Sequence, residues 1–334
     1  MTDNHRINVL AVVYHPFSLW RAPDWLSTRL RSDFPQVHAT QLPSYQNVED
    51  HIASADALIG WSLRAEQFAL AKRLRWIHSP AAAVHQLLLV PSIAQSDVMI
   101  TNAATIHGPV VAEHAIALIL ALAKRLPWAM RYQQEKNWAQ QIMWDTEPRP
   151  REVSGANLLL IGLGNIGREV ASRAAALGMR VAAVRENPAR GAETAHEVHG
   201  FDQLDSLLPG ADYVVLAAPL TPRTLRLFNA DRLARLRKDA YLVNVARGPL
   251  IDAAALAHAL GRNQFAGAAL DTFDEEPLPA SSPLWTLPNV FITPHTAAVT
   301  EKLWERHYAL IAENMRRFLA GRPLLNLVDK SRGY

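Results

Sequence analysis

Asn157-Leu158-Leu159-Leu160-Ile161-Gly162-Leu163-Gly164-Asn165-Ile166-Gly167 constrains this chain more than any other stretch. An apolar run leads straight into G-x-G-x-x-G, and Arg168-Glu169-Val170-Ala171 opens a helical pattern behind it. The order is buried parallel strand, tight turn and helix N-terminus, and a helix N-terminus aims backbone N–H groups at an anion. Each glycine has its own task in that arrangement. Gly162 permits the sharp turn, Gly164 lets the backbone approach the phosphates of a dinucleotide, and Gly167 lets the helix lie close to the strand. Asn165 and Ile166 complete the expected cofactor-binding turn. Taken alone the motif is not specific, because apolar-glycine turns also join ordinary strands to helices; here the strand before and the helix after are both present.

The 334 residues give room for two domains with substantial cores. With 34 basic and 31 acidic side chains the net charge is only +3, too even for the dense basic stripe of a nucleic-acid binder, so no such partner is expected. Cysteine is absent, which excludes disulfides, thiolate metal sites and a catalytic thiol. The histidines show no metal-ligand spacing, so no metal is expected. The apolar run after Arg6 is too short for a secretory h-region and lacks a small-residue cleavage site, so the expected location is cytoplasmic. The longest apolar run, 115–123, falls short of the roughly 20 residues that cross a bilayer, and no membrane partner is expected.

Along the first hundred residues, strand patterns at 7–13, 35–42, 56–60, 74–79 and 98–102 alternate with helical patterns at 24–30 and 48–55. That alternation predicts a parallel α/β sheet. Residues 108–126 are apolar on every side beyond Glu113-His114, which places a helix in a large core or a subunit interface; a contribution to both is expected, and with it a dimer. The stretch from Pro127 through Trp138 and Trp144 to Pro150 reads as an irregular excursion, either a domain boundary or an arm that clasps a second subunit. A homodimer is the expected assembly. From 156 onward the pattern is regular: strand 158–161, helix 166–177, strand 180–184, acidic helix 202–208 and strand 212–217. Strand 240–244, helix 252–260 and strands 267–270 and 290–292 complete a doubly wound order. A last helix, 299–319, returns the chain towards the first domain.

Open α/β sheets hold their ligands at the carboxyl ends of the strands. Three stretches end there: Asn244-Val245-Ala246-Arg247-Gly248, Leu270-Asp271-Thr272-Phe273-Asp274-Glu275-Glu276-Pro277 and Thr293-Pro294-His295-Thr296. An arginine offers a charged planar fork that holds a carboxylate through two hydrogen bonds. A histidine passes a proton to or from a hydroxyl near neutral pH, and a carboxylate beside it fixes its tautomer. Singly, Arg247 could cap a turn, Glu275 and Glu276 could be solvated loop charges, and His295 could be a satisfied core histidine. Their joint placement at three strand ends after the glycine turn favours reversible reduction of a 2-keto acid.

Together with Val111-Ala112-Glu113-His114 and Ala218-Pro219-Leu220-Thr221-Pro222, these stretches resemble the D-isomer-specific 2-hydroxyacid dehydrogenase family over nearly the whole chain. The resemblance implies an α/β fold of two doubly wound parallel-sheet domains. A Rossmann cofactor domain, 104–296, would be inserted into a flavodoxin-like substrate domain made of 1–103 and 297–334, with the substrate in the cleft between them. It implies that Arg247 holds the substrate carboxylate and keto oxygen, that His295 is the acid/base, and that Glu276, which directly precedes Pro277, is its partner. Pro219, Val245, Ala246 and Asp271 join the glycine turn as expected cofactor-binding residues.

Two departures from the family pattern matter. Where NAD-type members carry an acidic residue after the second strand, this chain has Arg185, which could pair with a 2′-phosphate; Glu186 beside it could take the acidic role instead. NADP(H) is therefore the preferred cofactor, with NAD(H) possible. The loop Ser79-Pro80-Ala81-Ala82-Ala83-Val84-His85 has Ala83 and His85 where relatives show a glycine and an Asp or Asn. Backbone donors at Ala82 and Ala83 would still hold a substrate carboxylate. Trp61, after Gly60, either walls off the pocket or packs in the core. With Arg247 and His295 these residues are the expected contacts of a small 2-keto or 2-hydroxy acid of the glyoxylate or hydroxypyruvate type. The competing readings are a phosphoglycerate-type dehydrogenase and, from another class, a nicotinamide-binding corepressor or sensor without significant turnover.

Overall fold

The computed structural model describes residues 6–82 and 84–331, and Ala83 lies outside them. The chain divides into two units, Met1–His107 with Val299–Tyr334, and Gly108–Ala298. The joints thus follow His107 and Ala298, a few residues beyond the boundaries at 103 and 296 expected from the sequence.

The first unit is a five-stranded parallel sheet of β1 (Ile7–Val12), β2 (Val37–Leu42), β3 (Ala57–Ile59), β4 (Trp76–His78) and β5 (Met99–Thr101). Its order is β2-β1-β3-β4-β5, the flavodoxin-like arrangement. Side chains alternate across each strand, and here both faces are covered. Val9, Ala11 and Trp76 pack with Leu26, Leu30 and the Leu303–Leu319 helix on one side. Leu10, Val12, Leu58 and Ile77 pack with Ile52 and Leu87 on the other. The Leu303–Leu319 helix buries Trp304, His307, Tyr308, Ile311, Ala312 and Met315, a helical stripe. It begins later than the expected 299, because residues 300–302 form a turn in which Thr300 O accepts the Leu303 N–H.

The second unit is a seven-stranded parallel sheet in the order β12-β11-β10-β9-β6-β7-β8. Its strands are β6 (Asn157–Ile161), β7 (Arg180–Val184), β8 (Glu197–His199), β9 (Tyr213–Leu216), β10 (Tyr241–Asn244), β11 (Gly267–Leu270) and β12 (Val290–Ile292). No sequence pattern announces β8, a short polar strand that pairs with β7 at the sheet's edge. The Gly108–Ala123 helix packs Val111, Ala115, Leu118, Ile119 and Leu122 against Leu158, Leu160, Val170 and Val243. Most of its apolar surface is therefore used inside this unit, where each fully buried Leu or Ile contributes about 1.5–3 kcal/mol.

The excursion predicted over 127–150 is not irregular. It holds two helices, Leu126–Gln134 and Gln140–Asp145. Arg125 ends the preceding helix with φ +56° and sends Nη1 to Thr146 O at 2.6 Å. Pro127 stands in the first turn of the next helix, where its missing N–H costs nothing, so it starts an element that it appeared to break.

Candidate active site

In the second unit the chain reverses its direction of sheet growth between β6 and β9, and the glycine turn lies at that switch point. Gly162 has φ +99°, and a Cβ on it would lie 2.7 Å from the backbone of Ala218. A Cβ on Gly167 would lie 2.0 Å from Gly162 O. Both glycines are demanded by the packing of the protein on itself. Gly164 is different, since a Cβ there would meet nothing within 4 Å. It is the N-cap of the Asn165–Ala176 helix, and no side chain caps that end. An open glycine before an uncapped helix N-terminus fits a pyrophosphate. Asn165 and Ile166 form the first turn, with Asn165 Oδ1 accepting from Arg168 Nη2 at 2.6 Å. Pro219 is exposed after β9, its carbonyl accepting the Thr224 hydroxyl at 2.7 Å. Val245 and Ala246 are buried at the end of β10.

Arg185 directly follows β7, but it is not a free surface cation. It is 8% exposed and donates Nη1 to Glu193 Oε1 at 2.8 Å. The other oxygen of Glu193 takes Arg168 Nη1 at 3.0 Å. These two arginines, with Arg185 the larger influence, hold the Glu193 carboxyl below its ordinary pKa. Glu186 turns away to an exposed ion pair with Arg223, so both candidates for the ribose-recognising position already have partners.

At the opposite half of the sheet's carboxyl edge, His295 Nδ1 lies 2.5 Å from Glu276 Oε2. Glu276 Oε1 accepts the Phe273 N–H at 2.9 Å, which holds the carboxylate in place. Of the two adjacent glutamates, the structure pairs Glu276 with His295. His295 itself has φ +53°, and its N–H is bonded to Asp271 O and Thr293 O. With Glu276 at Nδ1, the Nε2 edge of the ring is the one left for a ligand. Arg247 stands at the end of the β10 turn, exposed as a residue, but its guanidinium lies back against the protein and donates Nη1 to Ala246 O at 2.6 Å. Desolvation of its head group lowers its pKa and the neighbouring Glu276 carboxylate opposes that; a guanidinium remains charged throughout.

Several positioning residues escaped the sequence reading. Asn244 is fully buried, accepts the Ala246 N–H and donates to Arg247 O, clamping the turn that presents Arg247. A Cβ on Gly248 would lie 1.9 Å from the Phe273 backbone, so this glycine lets the Arg247 turn and the Glu276 loop touch. Asp271, expected at the cofactor, is fully buried and accepts from Thr293 Oγ1, Thr296 N and Ala297 N. What it visibly holds is the turn carrying His295. Because Thr293 gives its hydroxyl proton to Asp271, it can only accept from His114 Nε2 at 3.0 Å. Burial lowers the pKa of His114, with Asp271 opposing, so the neutral Nε2–H tautomer completes the network.

Trp61 and Ala82 belong to the first unit. Trp61 follows β3, half-buried against the core, with the His15 ring edge-on at 6.1 Å. Ala82, after β4, accepts Asn102 Nδ2 through its carbonyl at 3.0 Å. Both sit on the carboxyl edge of the first sheet, while the other described candidates sit on that of the second.

A Rossmann sheet with an open glycine turn, followed by an Arg, a Glu and a His at later strand ends, defines a nicotinamide-dependent dehydrogenase. Residues 116–297 match the family model "D-isomer specific 2-hydroxyacid dehydrogenase, NAD binding domain". A glyoxylate reductase of Korarchaeum cryptofilum is 32% identical over 292 residues, covering 86% of this chain and 87% of that one. A D-3-phosphoglycerate dehydrogenase of Methanocaldococcus jannaschii is 33% identical over 285 residues, 84% of this chain but 53% of that longer one. Among solved structures, a D-isomer specific 2-hydroxyacid dehydrogenase from Xanthobacter autotrophicus Py2, in complex with NADPH and MES, superposes with a TM-score of 0.82. It is 30% identical, with 99% of this chain and 100% of that one covered. The chain belongs to the D-isomer specific 2-hydroxyacid dehydrogenase family, and it is an NAD(P)-dependent oxidoreductase. No helix among the described residues is long and apolar enough to cross a membrane.

Proposed function

We propose that the enzyme reduces a small 2-keto acid of the glyoxylate or hydroxypyruvate type to the D-2-hydroxy acid, with NADPH preferred over NADH. The bound nicotinamide supplies the hydride. Arg247 binds the substrate carboxylate and polarises the keto oxygen through its fork of donors. His295 gives a proton to that oxygen from Nε2, while Glu276 holds Nδ1 and stabilises the imidazolium before transfer. In the reverse direction His295 accepts the hydroxyl proton. The observation that carries this reading is the 2.5 Å pairing of His295 with Glu276 at the strand edge beside Arg247.

The cofactor preference rests on Arg185 after β7, and the NADPH held by the Xanthobacter relative supports it. Kinetics with both cofactors test it: comparable kcat/KM with NADPH and NADH would contradict it. The phosphoglycerate-type reading draws support from the Methanocaldococcus relative. A panel of glyoxylate, hydroxypyruvate, pyruvate and phosphohydroxypyruvate separates the two, and a preference for the phosphorylated acid would overturn the first.

A homodimer is part of the same proposal. Leu126, Met130, Trp138, Ile142 and Trp144 are all exposed on the 126–145 segment, Trp138 at 90%. So much aromatic and aliphatic surface on one arm suits a subunit contact. Sedimentation of the full chain tests it, and a monomer at micromolar concentration would refute it.

A further inference from the structure

Glu193 stands between two arginines with its carboxylate shared: Oε1 to the buried Arg185 at 2.8 Å and Oε2 to Arg168 at 3.0 Å. The two cations come from different elements, Arg185 from the end of β7 and Arg168 from the first turn of the helix behind the glycine turn. The loop that brings Glu193 there is tied at several points. Arg185 Nη1 also reaches Gly191 O at 3.3 Å, and Thr194 Oγ1 donates to Arg168 O at 2.9 Å. Glu193 takes φ +52°, a conformation that few residues with a side chain adopt, and Gly191 has φ +86°. The loop thus turns back to place one carboxylate on both guanidiniums.

A carboxylate and a phosphate recruit arginine in the same way, through charge-assisted bonds to a planar fork. We propose that Glu193 is a specificity-determining residue, an internal anion that holds Arg185 and Arg168 and must release them to the 2′-phosphate of NADP(H). The inference rests on the reading that Arg185 recognises that phosphate. An unphosphorylated ribose brings no anion to displace Glu193, so NAD(H) meets the arginines already neutralised. The intramolecular pair then lowers the affinity for the phosphorylated cofactor while keeping the two cations apart and aligned in its absence.

The test is calorimetric titration of the intact enzyme with NADPH, NADH and 2′,5′-ADP. Glu193→Gln should tighten NADPH and 2′,5′-ADP about 2- to 5-fold, the size expected for removing a partly exposed ion-pair competitor, and should raise the ratio of NADPH to NADH affinity by the same factor. Weaker NADPH binding by Glu193→Gln would overturn the inference, because the carboxylate would then be needed to position Arg185. Weaker NADH binding would overturn it as well, making Glu193 the acidic partner of the ribose. Glu193→Ala, checked by its Tm, gives the same reading should the glutamine hold one arginine through its amide oxygen. Arg185→Gln keeps the two claims separate. If it leaves NADPH binding intact, recognition of the phosphate by Arg185 fails; if it weakens NADPH while both Glu193 variants leave it unchanged, only the role of Glu193 fails.

Discussion

His295 reaches its working position through a short relay of buried polar groups. Asp271 takes the Thr296 and Ala297 N–H groups and the Thr293 hydroxyl, and its own carbonyl takes the His295 N–H. The backbone can then keep φ +53° at a residue with a side chain. His295→Ala should lower kcat about 10²–10⁴-fold while NADPH still binds by fluorescence titration; undiminished turnover would remove His295 from the chemistry. Asp271→Asn would set an amide donor against a backbone donor, a conflict of about 1–3 kcal/mol. It should lower both Tm and kcat while changing the KM for NADPH little, as melting curves and steady-state kinetics can show. The proposed catalytic trio was legible in the sequence because Arg247, Glu276 and His295 each stand next to a glycine or proline beyond a strand end. The clamping roles of Asn244, Thr293 and His114 were not: Asn244 bonds backbone groups of its own turn, which no pattern announces, and Thr293 meets Asp271 and His114 across 22 and 179 residues. Arg185 was legible as a cation, but its engagement by Glu193 depends on a loop that no periodicity foretells.

The glycine turn separates structure from function within a single element. Gly167 faces Gly162 O, so Gly167→Ala forces the helix off β6. Overpacking of that kind costs about 1–3 kcal/mol and should lower Tm by several degrees. Gly164 meets open space on the side of its missing Cβ and has φ −93°, which alanine adopts freely. Gly164→Ala should therefore leave Tm within about 2 °C yet weaken NADPH at least about tenfold, a loss near 1.4 kcal/mol. Equal effects of the two substitutions on Tm and on affinity would contradict this division. Short apolar runs bounded by turn residues mark strands reliably, as β7, β11 and β12 show by matching their predicted bounds. Two misreadings have physical causes. Pro127 opens a stretch that reads as irregular although proline suits a first helical turn, and β8, Glu197-Val198-His199, is too polar to show a strand pattern.

On the scale of the whole molecule, two buried histidines give the first unit an acid sensitivity. His78 and His307 are buried, and His78 Nε2 and His307 Nδ1 have no hydrogen-bond partner among the described residues. Burial pushes their pKa values down from 6.5 to about 3 and about 2, with His107 and His78 adding to the effect on His307. In the unfolded chain both titrate near 6.5. Above that pH neither state binds the extra protons, and this contribution to stability is constant. Below it the unfolded chain takes up protons that the fold refuses, so stability falls as pH drops, approaching about 1.4 kcal/mol per pH unit for each histidine. Melting curves should show Tm declining from about pH 6.5 towards about pH 5; a flat Tm over that range would contradict the account. The fold and family were accessible from sequence because two parallel sheets and a strand-end trio leave patterns hundreds of residues long, whereas no periodicity marks the side chains that would select a keto acid. The central claim is that Arg247, Glu276 and His295 reduce a small 2-keto acid at the expense of NADPH. Its most direct measurement is NADPH oxidation with glyoxylate and hydroxypyruvate, by the wild type and by His295→Ala side by side. The account predicts stoichiometric formation of the 2-hydroxy acid, chiral and D where hydroxypyruvate is reduced, by the wild type alone; oxidation by neither enzyme, or at equal rates by both, would contradict it.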